Sequence, residues 1–362
     1  LVKRHLEVLV ERKARKGRGA VSNATGRYES LVHEAVDDGW GLADELPLLR
    51  TSLSLDTAKR VISYNQSPDV FFDRSVNPYR GCEHGCVYCF ARPTHTWLGL
   101  SAGLDFESRL FYKPDAVERL REELSSARYQ CQPLALGINT DAYQPVERKV
   151  GLTRRILELL AEVRHPVILV TKSSLIERDI DLLAPMAASQ LVSVSISIST
   201  LSRNLSRRLE PRAASPERRL ETMRRIADAG IPLTLLMAPV IPVITDSEME
   251  TILQAGREAG AGSAAYVLLR LPHEVRDLFI EWLEEHEQLR ASHVMSKIRE
   301  MRGGREYDSR FGSRMKGEGV YADLLKQRFR LALKRYGYVD APSLDTSAFC
   351  HPLLPGQQMS LF

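Results

Sequence analysis

A chain of 362 residues with a 44% hydrophobic fraction can bury a core of its own. No apolar run reaches the roughly 18 residues that a membrane-spanning helix needs. The net charge of +4 is mild, and five cysteines spread over this length do not make a disulfide scaffold. The charge is uneven: residues 3–18 carry seven Lys/Arg against two Glu, and a second basic stretch runs from Arg299 to Lys316. Either stretch suits phosphate backbones, while a solvated basic arm is the stronger account of the first. The charged N-terminus lacks the apolar segment of a secretory signal, so the expectation is a cytoplasmic protein that does not enter a membrane.

Residues 1–70 show weak periodicity and many turn formers, and they predict an extension wrapped on the main domain. From about residue 75 onward, strand-like and helix-like segments alternate. A short extended run over 75–80 ends at Gly81, and a helix is expected over 115–128. Apolar strands over 133–139, 166–171, 191–199, 231–238 and 264–269 alternate with helical spacing over 152–163, 177–188, 216–229 and 246–259. Strands this apolar are covered on both faces, and helices between them imply parallel βαβ units. The fold class is therefore α/β. Six units over 71–270 predict a partial (βα)6 parallel barrel, although a doubly wound sheet shares the alternation. A C-terminal helical region over 271–339 contains segments 272–289, 292–302 and 321–336, and an irregular tail follows over 340–362.

The chemistry is concentrated in Asn77-Pro78-Tyr79-Arg80-Gly81-Cys82-Glu83-His84-Gly85-Cys86-Val87-Tyr88-Cys89-Phe90. Three cysteines stand within eight residues on a loop that follows the first barrel strand, where such folds place their working loops. Three thiolates with no local fourth leave one iron of a [4Fe–4S] cluster open to a small molecule. Gly81 and Gly85 let the backbone fold tightly and turn amide N–H groups toward a negative cluster. Zinc is the competing ligand, because His84 or His95 could complete a Cys3His site.

The spacing Cys-x3-Cys-x2-Cys, with Tyr88 just before the third cysteine, resembles the radical S-adenosylmethionine (SAM) superfamily over roughly residues 75–270. That resemblance implies a cluster held by Cys82, Cys86 and Cys89, with its open iron chelating the methionine end of SAM. It further implies an electron donor such as flavodoxin or ferredoxin and release of a 5′-deoxyadenosyl radical. Tyr88 would then lie near the adenine, or else simply pack the loop on the barrel. Other SAM contacts are expected at the C-terminal ends of later strands. Asn139, Thr140 and Asp141 follow the second strand, where a plain turn is the alternative. Lys172 follows the third and suits the SAM carboxylate, unless it is merely exposed. On the fourth strand, Ser193, Ser195, Ser197 and Ser199 share one face, and Ser197 and Ser199 lie nearest the working end. Arg212 could clamp a carboxylate or phosphate, in a segment where eight arginines crowd residues 203–225.

Within the superfamily, the segments 77–82, 139–147 and 170–172 resemble spore photoproduct lyase and its bacterial relatives. That group implies repair-like chemistry on DNA. Two departures put strict lyase activity in doubt. Phe90 replaces a tyrosine after the third cysteine, and Gly137 and Ile138 occupy the region of the lyase's hydrogen-donating cysteine. Cys131 lies before that strand, and neither Cys350 nor Tyr143 has sequence support as a substitute. The loop 302–316 interleaves Arg302, Arg305, Arg310, Arg314 and Lys316 with Tyr307 and Phe311, a mixture suited to nucleic acid. Internal salt bridges to Glu300, Glu306 and Asp308 are the alternative. The terminal Gln358-Met359-Ser360-Leu361-Phe362 resembles the peptide by which repair proteins dock on the sliding clamp, or else packs on its own domain.

Overall fold

The structure, a computed structural model, describes residues 14–29 and 49–354. The expected clamp-docking tail from Gln358 to Phe362 lies outside these residues, as does most of the N-terminal basic arm. The strands are β1 (Ser52–Leu55), β2 (Ile62–Tyr64), β3 (Arg74–Val76), β4 (Tyr79–Arg80), β5 (Arg109–Tyr112), β6 (Leu134–Leu136), β7 (Val167–Thr171), β8 (Val192–Ser197), β9 (Leu233–Val240) and β10 (Ser263–Leu268). Short α1 (Leu104–Ser108) precedes β5, and α2 (Ala116–Leu124) follows it. Helices α3 (Glu147–Val150), α4 (Leu152–Glu162), α5 (Ile180–Ala188), α6 (Arg203–Leu209), α7 (Pro216–Asp228) and α8 (Met249–Glu258) fill the connections from β6 to β10. Then come α9 (Glu274–His286), α10 (Gln288–Glu300), α11 (Ser313–Lys316) and α12 (Val320–Tyr336).

Six strands, β3 and β6 to β10, lie side by side in chain order and run parallel. A doubly wound sheet reverses its order around a central strand. This one never reverses, so it is the expected partial barrel. Strand β2 pairs antiparallel with β3 at one edge, β10 forms the other, and among the described residues no strand pairing joins the two edges. The serine-rich strand behaves as its period of two requires. Val192, Val194, Ile196 and Ile198 enter the main core, which leaves the four serines on the inner face. Helix α4 buries Leu152, Ile156, Leu157, Leu159 and Leu160 against the sheet. Helix α7 starts where Ser215 accepts a hydrogen bond from the Arg218 amide and Pro216 occupies the first turn.

The structure departs from the sequence reading at the start of the barrel. The run expected over 75–80 is split: β3 stays in the barrel, while β4 joins a small separate sheet ordered β1-β5-β4. The break falls at Asn77-Pro78, where the proline has no N–H to give a ladder. Strands β1, β2 and β5 have only three or four residues each and carry no readable period. The segment before residue 70 therefore contributes strands to both sheets as well as wrapping the domain.

A second core forms beyond the barrel. Val275, Phe279, Trp282 and Leu283 of α9, with Val294 and Ile298 of α10, pack against Cys86, Val87 and Tyr88. The C-terminal helices thus hold the cysteine loop from outside. The described part of the tail, residues 340–354, has neither helix nor strand, yet it is pinned across the opposite end of the barrel. The Asp345 amide donates to the Gln190 carbonyl at 2.9 Å, and that of Cys350 to Val163 at 3.0 Å. Phe349 packs there on Tyr129 and His165. The His165 Nδ1 faces the Pro166 carbonyl at 2.9 Å, which can only accept, so Nε2 is the acceptor for the Tyr129 hydroxyl at 2.7 Å. That tautomer is neutral.

Burial lowers both His165 and His95 to about 4. The unfolded chain takes up these protons near pH ~6.5, while the native state refuses them until near pH 4. Stability is therefore complete above the unfolded value and falls as pH drops through this window. Chemical denaturation between pH 7 and 4 should show this fall, with a shallower slope in His165→Gln. An identical slope in that variant contradicts the assignment.

Candidate functional site

The cysteine loop leaves β4 through Gly81, whose φ of +77° and 2.8 Å clearance from the Phe106 carbonyl exclude a side chain. It turns again at Gly85, where a Cβ would stand 2.7 Å from the Glu107 carboxylate. Cys82 and Cys86 are buried and Cys89 is half-buried, all as free thiols. Burial pushes the Cys82 thiol well up, and the neighbouring Asp141, Cys86 and Cys89 add to it. Burial and Glu210 push Cys86 to about 12, and burial raises Cys89 against the pull of local N–H groups and cations. Left alone, these sulfurs stay protonated. Only a bound cation makes thiolates favourable here.

The donor set discriminates between metals. Among the described residues, no three His, Cys, Asp or Glu side chains converge closely enough to hold a single metal ion. His84 lies 3.3 Å from the Asp141 carboxylate, and the His95 Nε2 is 2.9 Å from the Arg109 carbonyl. Neither completes a Cys3His zinc site. Three thiols within one another's field, with no fourth ligand, fit a larger multi-iron group instead.

Beside the thiols lies a polar cage. The Tyr88 hydroxyl donates to the Glu210 carboxylate and lies 3.3 Å from the Ser199 hydroxyl, which itself reaches Glu210 at 3.1 Å. Arg219 grips the other oxygen of Glu210 and donates to the Ser197 carbonyl at 2.8 Å. The Ser197 and Ser199 hydroxyls both donate to the Ala238 carbonyl, at 3.1 and 3.2 Å. The Lys172 Nζ lies 3.5 Å from that same oxygen and 5.9 Å from the centre of the Tyr88 ring. Burial pushes Glu210 up, but Arg219 and Lys172 outweigh it and hold the carboxyl below its usual range. Burial and Glu210 keep Tyr88 a protonated phenol.

Tyr88, Lys172, Ser197 and Ser199 thus converge on one place. The other expected residues stand around it. Asp141 accepts from the Thr171 hydroxyl at 2.7 Å and the Lys172 amide at 2.8 Å, so it braces the end of β7. The Thr140 hydroxyl donates to the Tyr79 carbonyl at 2.9 Å, and the Asn139 amide to Asn77 Oδ1 at 3.0 Å, which ties the turn after β6 to the cysteine loop. Asn139 is exposed. Arg212 is engaged by Glu83 at 3.0 Å, and its amide holds the His84 carbonyl at 3.2 Å. Gly137 adopts φ +86° with only 2.6 Å to the Val170 carbonyl, so no cysteine side chain fits there. Cys131 and Cys350 are at the far end of the barrel, and Tyr143 is fully buried.

Glu210 and Arg219 do not stand out in the sequence, where eight arginines crowd residues 203–225. A signal was present. Arg219 shares the apolar face of α7 with Thr222, Met223 and Ile226, where a charge must find a buried partner.

Residues 76–255 match the family model described as the radical SAM superfamily. That segment is a radical SAM domain. An uncharacterised protein of Mycobacterium tuberculosis is 36% identical over 214 residues, covering 59% of this chain and 63% of the relative. A Methanocaldococcus jannaschii protein, also uncharacterised, is 27% identical over 191 residues, covering 53% and 68%. Among solved structures, one of spore photoproduct lyase superposes with a TM-score of 0.57 at 15% identity, covering 78% of this chain and 79% of the lyase. Another, of the lyase with bound AdoMet and dinucleoside spore photoproduct, gives 0.56 at 14% over 78% of each chain. At this identity the likeness concerns the fold.

Removing Arg219 strands a buried carboxylate. Arg219→Met should cost about 3–5 kcal/mol of stability, and adding Glu210→Gln should recover much of it. Denaturant midpoints of the single and double variants measure both. A single variant as stable as the parent contradicts the cage.

Proposed function

We propose that this radical SAM protein is an enzyme whose Cys82, Cys86 and Cys89 hold a [4Fe–4S] cluster beside a SAM site bounded by Tyr88, Lys172, Ser197 and Ser199. The observation that carries the reading is the trio of neighbouring thiols, two buried and one half-buried, without a fourth ligand among the described residues. When bound, and reduced by a flavodoxin or ferredoxin, the cluster supplies the electron that cleaves SAM to a 5′-deoxyadenosyl radical, which takes hydrogen from the substrate.

The chain's own groups position and enclose. Lys172 offers a cation to the SAM carboxylate, since among the described residues its ammonium has no ion pair and only a weak 3.5 Å contact with a carbonyl. Asp141 fixes the backbone that carries it. Glu210 and Arg219 lock the Tyr88 hydroxyl, so its ring stands as a rigid wall against the adenosine. Asn139, Thr140 and Arg212 act through backbone and Glu83 contacts, as supports of the loops that form the site.

For the substrate we favour a nucleic acid or nucleotide-like molecule. The support comes from the rim. Phe90, 40% exposed, carries the Arg270 guanidinium at 5.2 Å from its ring centre. Arg270 also donates to the Met315 sulfur at 3.6 Å, and among the described residues no carboxylate lies within ion-pair distance of it, although Asp69 senses its charge from further off. A flat ring beside an unpaired guanidinium suits a base and its phosphate. Much of the neighbouring basic loop is already committed. Arg302 is buried on the Ser313 and Leu269 carbonyls, Arg310 pairs with Asp308 and Glu318, and Arg314 pairs with Asp69 while covering Phe311. Arg305, Lys316 and Phe311 remain exposed. Because Gly137 bars a thiol at the end of β6, we place this chain outside strict lyase chemistry, with another route for quenching the product radical.

Anaerobic reconstitution tests the first reading: about four irons per chain and 5′-deoxyadenosine from SAM after reduction, both lost in Cys86→Ala. Tight zinc without SAM cleavage defeats it. For the substrate, a single-stranded oligodeoxynucleotide should bind more weakly as salt rises, and Arg270→Met should lower the salt slope by about one phosphate contact. Affinity indifferent to salt rules the nucleic acid out.

A further inference from the structure

The cysteine loop has no helix or strand to satisfy its backbone, and its carbonyls are instead tied from outside. Gln144 Nε2 donates to the Gly81 carbonyl at 3.1 Å, the Gly85 amide to Cys82 at 3.3 Å, and the Arg212 amide to His84 at 3.2 Å. Arg92 takes the next two. Its Nε donates to the Cys86 carbonyl at 2.9 Å and its Nη2 to Gly85 at 3.3 Å. The Nη1 reaches the carbonyls of Ala102 at 3.0 Å and Gly103 at 2.9 Å, and Nη2 also reaches the Glu107 carboxylate. A guanidinium has five N–H donors, and here each has its own acceptor. The side chain is 0% exposed.

The Val87 amide, in the same peptide unit as the Cys86 carbonyl, donates to the Leu209 carbonyl at 3.1 Å. Glu107 is in turn held by the Gly19 amide at 2.9 Å and the Ala20 amide at 2.8 Å. Gly19 lies so close to the loop that a Cβ on it would stand 1.8 Å from the Gly85 carbonyl oxygen. The strap formed by Gly19 and Ala20, with Glu107 and Arg92, makes one buried clamp behind the loop.

We propose that Arg92 is a positioning residue that sets the polarity of the cysteine loop: it keeps the Gly85 and Cys86 carbonyl oxygens bound to its own guanidinium and so turned away from the sulfurs. This rests on the cluster reading above. Donors aimed at cluster sulfurs stabilise the more negative, reduced state, and carbonyl oxygens aimed there destabilise it. Arg92 therefore raises the reduction potential of the bound cluster. Lysine keeps the charge but has three donors in a different geometry, so it cannot span the same acceptors.

The test uses the full chain, reconstituted without oxygen, and reads the midpoint potential by redox titration monitored by electron paramagnetic resonance. R92K should hold the same iron as the parent with a potential shifted to a more negative value. R92Q/E107Q, which replaces the ion pair by uncharged groups of similar shape, should shift it the same way. Either shift at equal iron content supports the role, and an unchanged potential in a loaded variant overturns it. Should R92K fail to load, the double variant decides on the same criterion. If both unfold before loading, Arg92 is a folding residue and the proposal falls. A parent protein that binds no four-iron cluster fails the functional reading itself, whereas a parent cluster indifferent to Arg92 leaves that reading standing.

Discussion

A segment without regular secondary structure must present three sulfur atoms in a fixed arrangement, and every other feature of the molecule answers to that demand. Helices and sheets satisfy their own polar backbone groups, but a loop of this kind has to borrow partners. Here they come from separate parts of the chain: Gln144 after β6, Arg212 after α6, Phe106 in α1, and Arg92 just downstream. The apolar residues of the same loop, Val87 above all, are seated in the core built by α9 and α10. The loop is thus fixed from the barrel, from the strap and from the C-terminal helices together. Releasing any one side leaves buried polar groups unpaired, so the three anchors are coupled rather than additive.

Two buried ion pairs divide the work around this loop. Arg92 with Glu107 stands behind it and grips its backbone, while Arg219 with Glu210 stands beside it and grips the Tyr88 hydroxyl. Buried pairs are a poor source of net stability, because desolvation offsets most of their attraction. What they supply is direction, since each guanidinium fixes several acceptors in one plane. A hydrophobic replacement would pack as tightly and hold nothing in place.

The parallel strands and their helices could be read from the sequence because buried strands are continuously apolar and the helices keep their period, as α4 and α7 do. The cysteine trio and the serine face of β8 were legible for a related reason, in that local spacing alone fixes which side chains stand together. Strands β1, β2 and β5 were not legible, being short and partly exposed, with partners distant in the chain. Nor were Arg92, Glu107, Glu210 and Arg219. A charged residue in a polar stretch looks like surface until its partner, fixed by tertiary structure, comes to meet it. The basic loop illustrates the converse, since several cations that look available in the sequence are spent on carboxylates and carbonyls nearby.

The barrel wall stops at β10 on one side and β2 on the other without meeting. A closed cylinder admits guests only through its rim, and therefore only guests with a free end or a small girth. Here the missing stave is bridged without a strand: the segment after β2 meets the α11 turn, where Asp69 accepts from the Gly312 amide at 2.6 Å and pairs with Arg314, which also reaches Ser67. The flank is thus fastened by a few side-chain contacts in place of the continuous ladder that a further strand would supply.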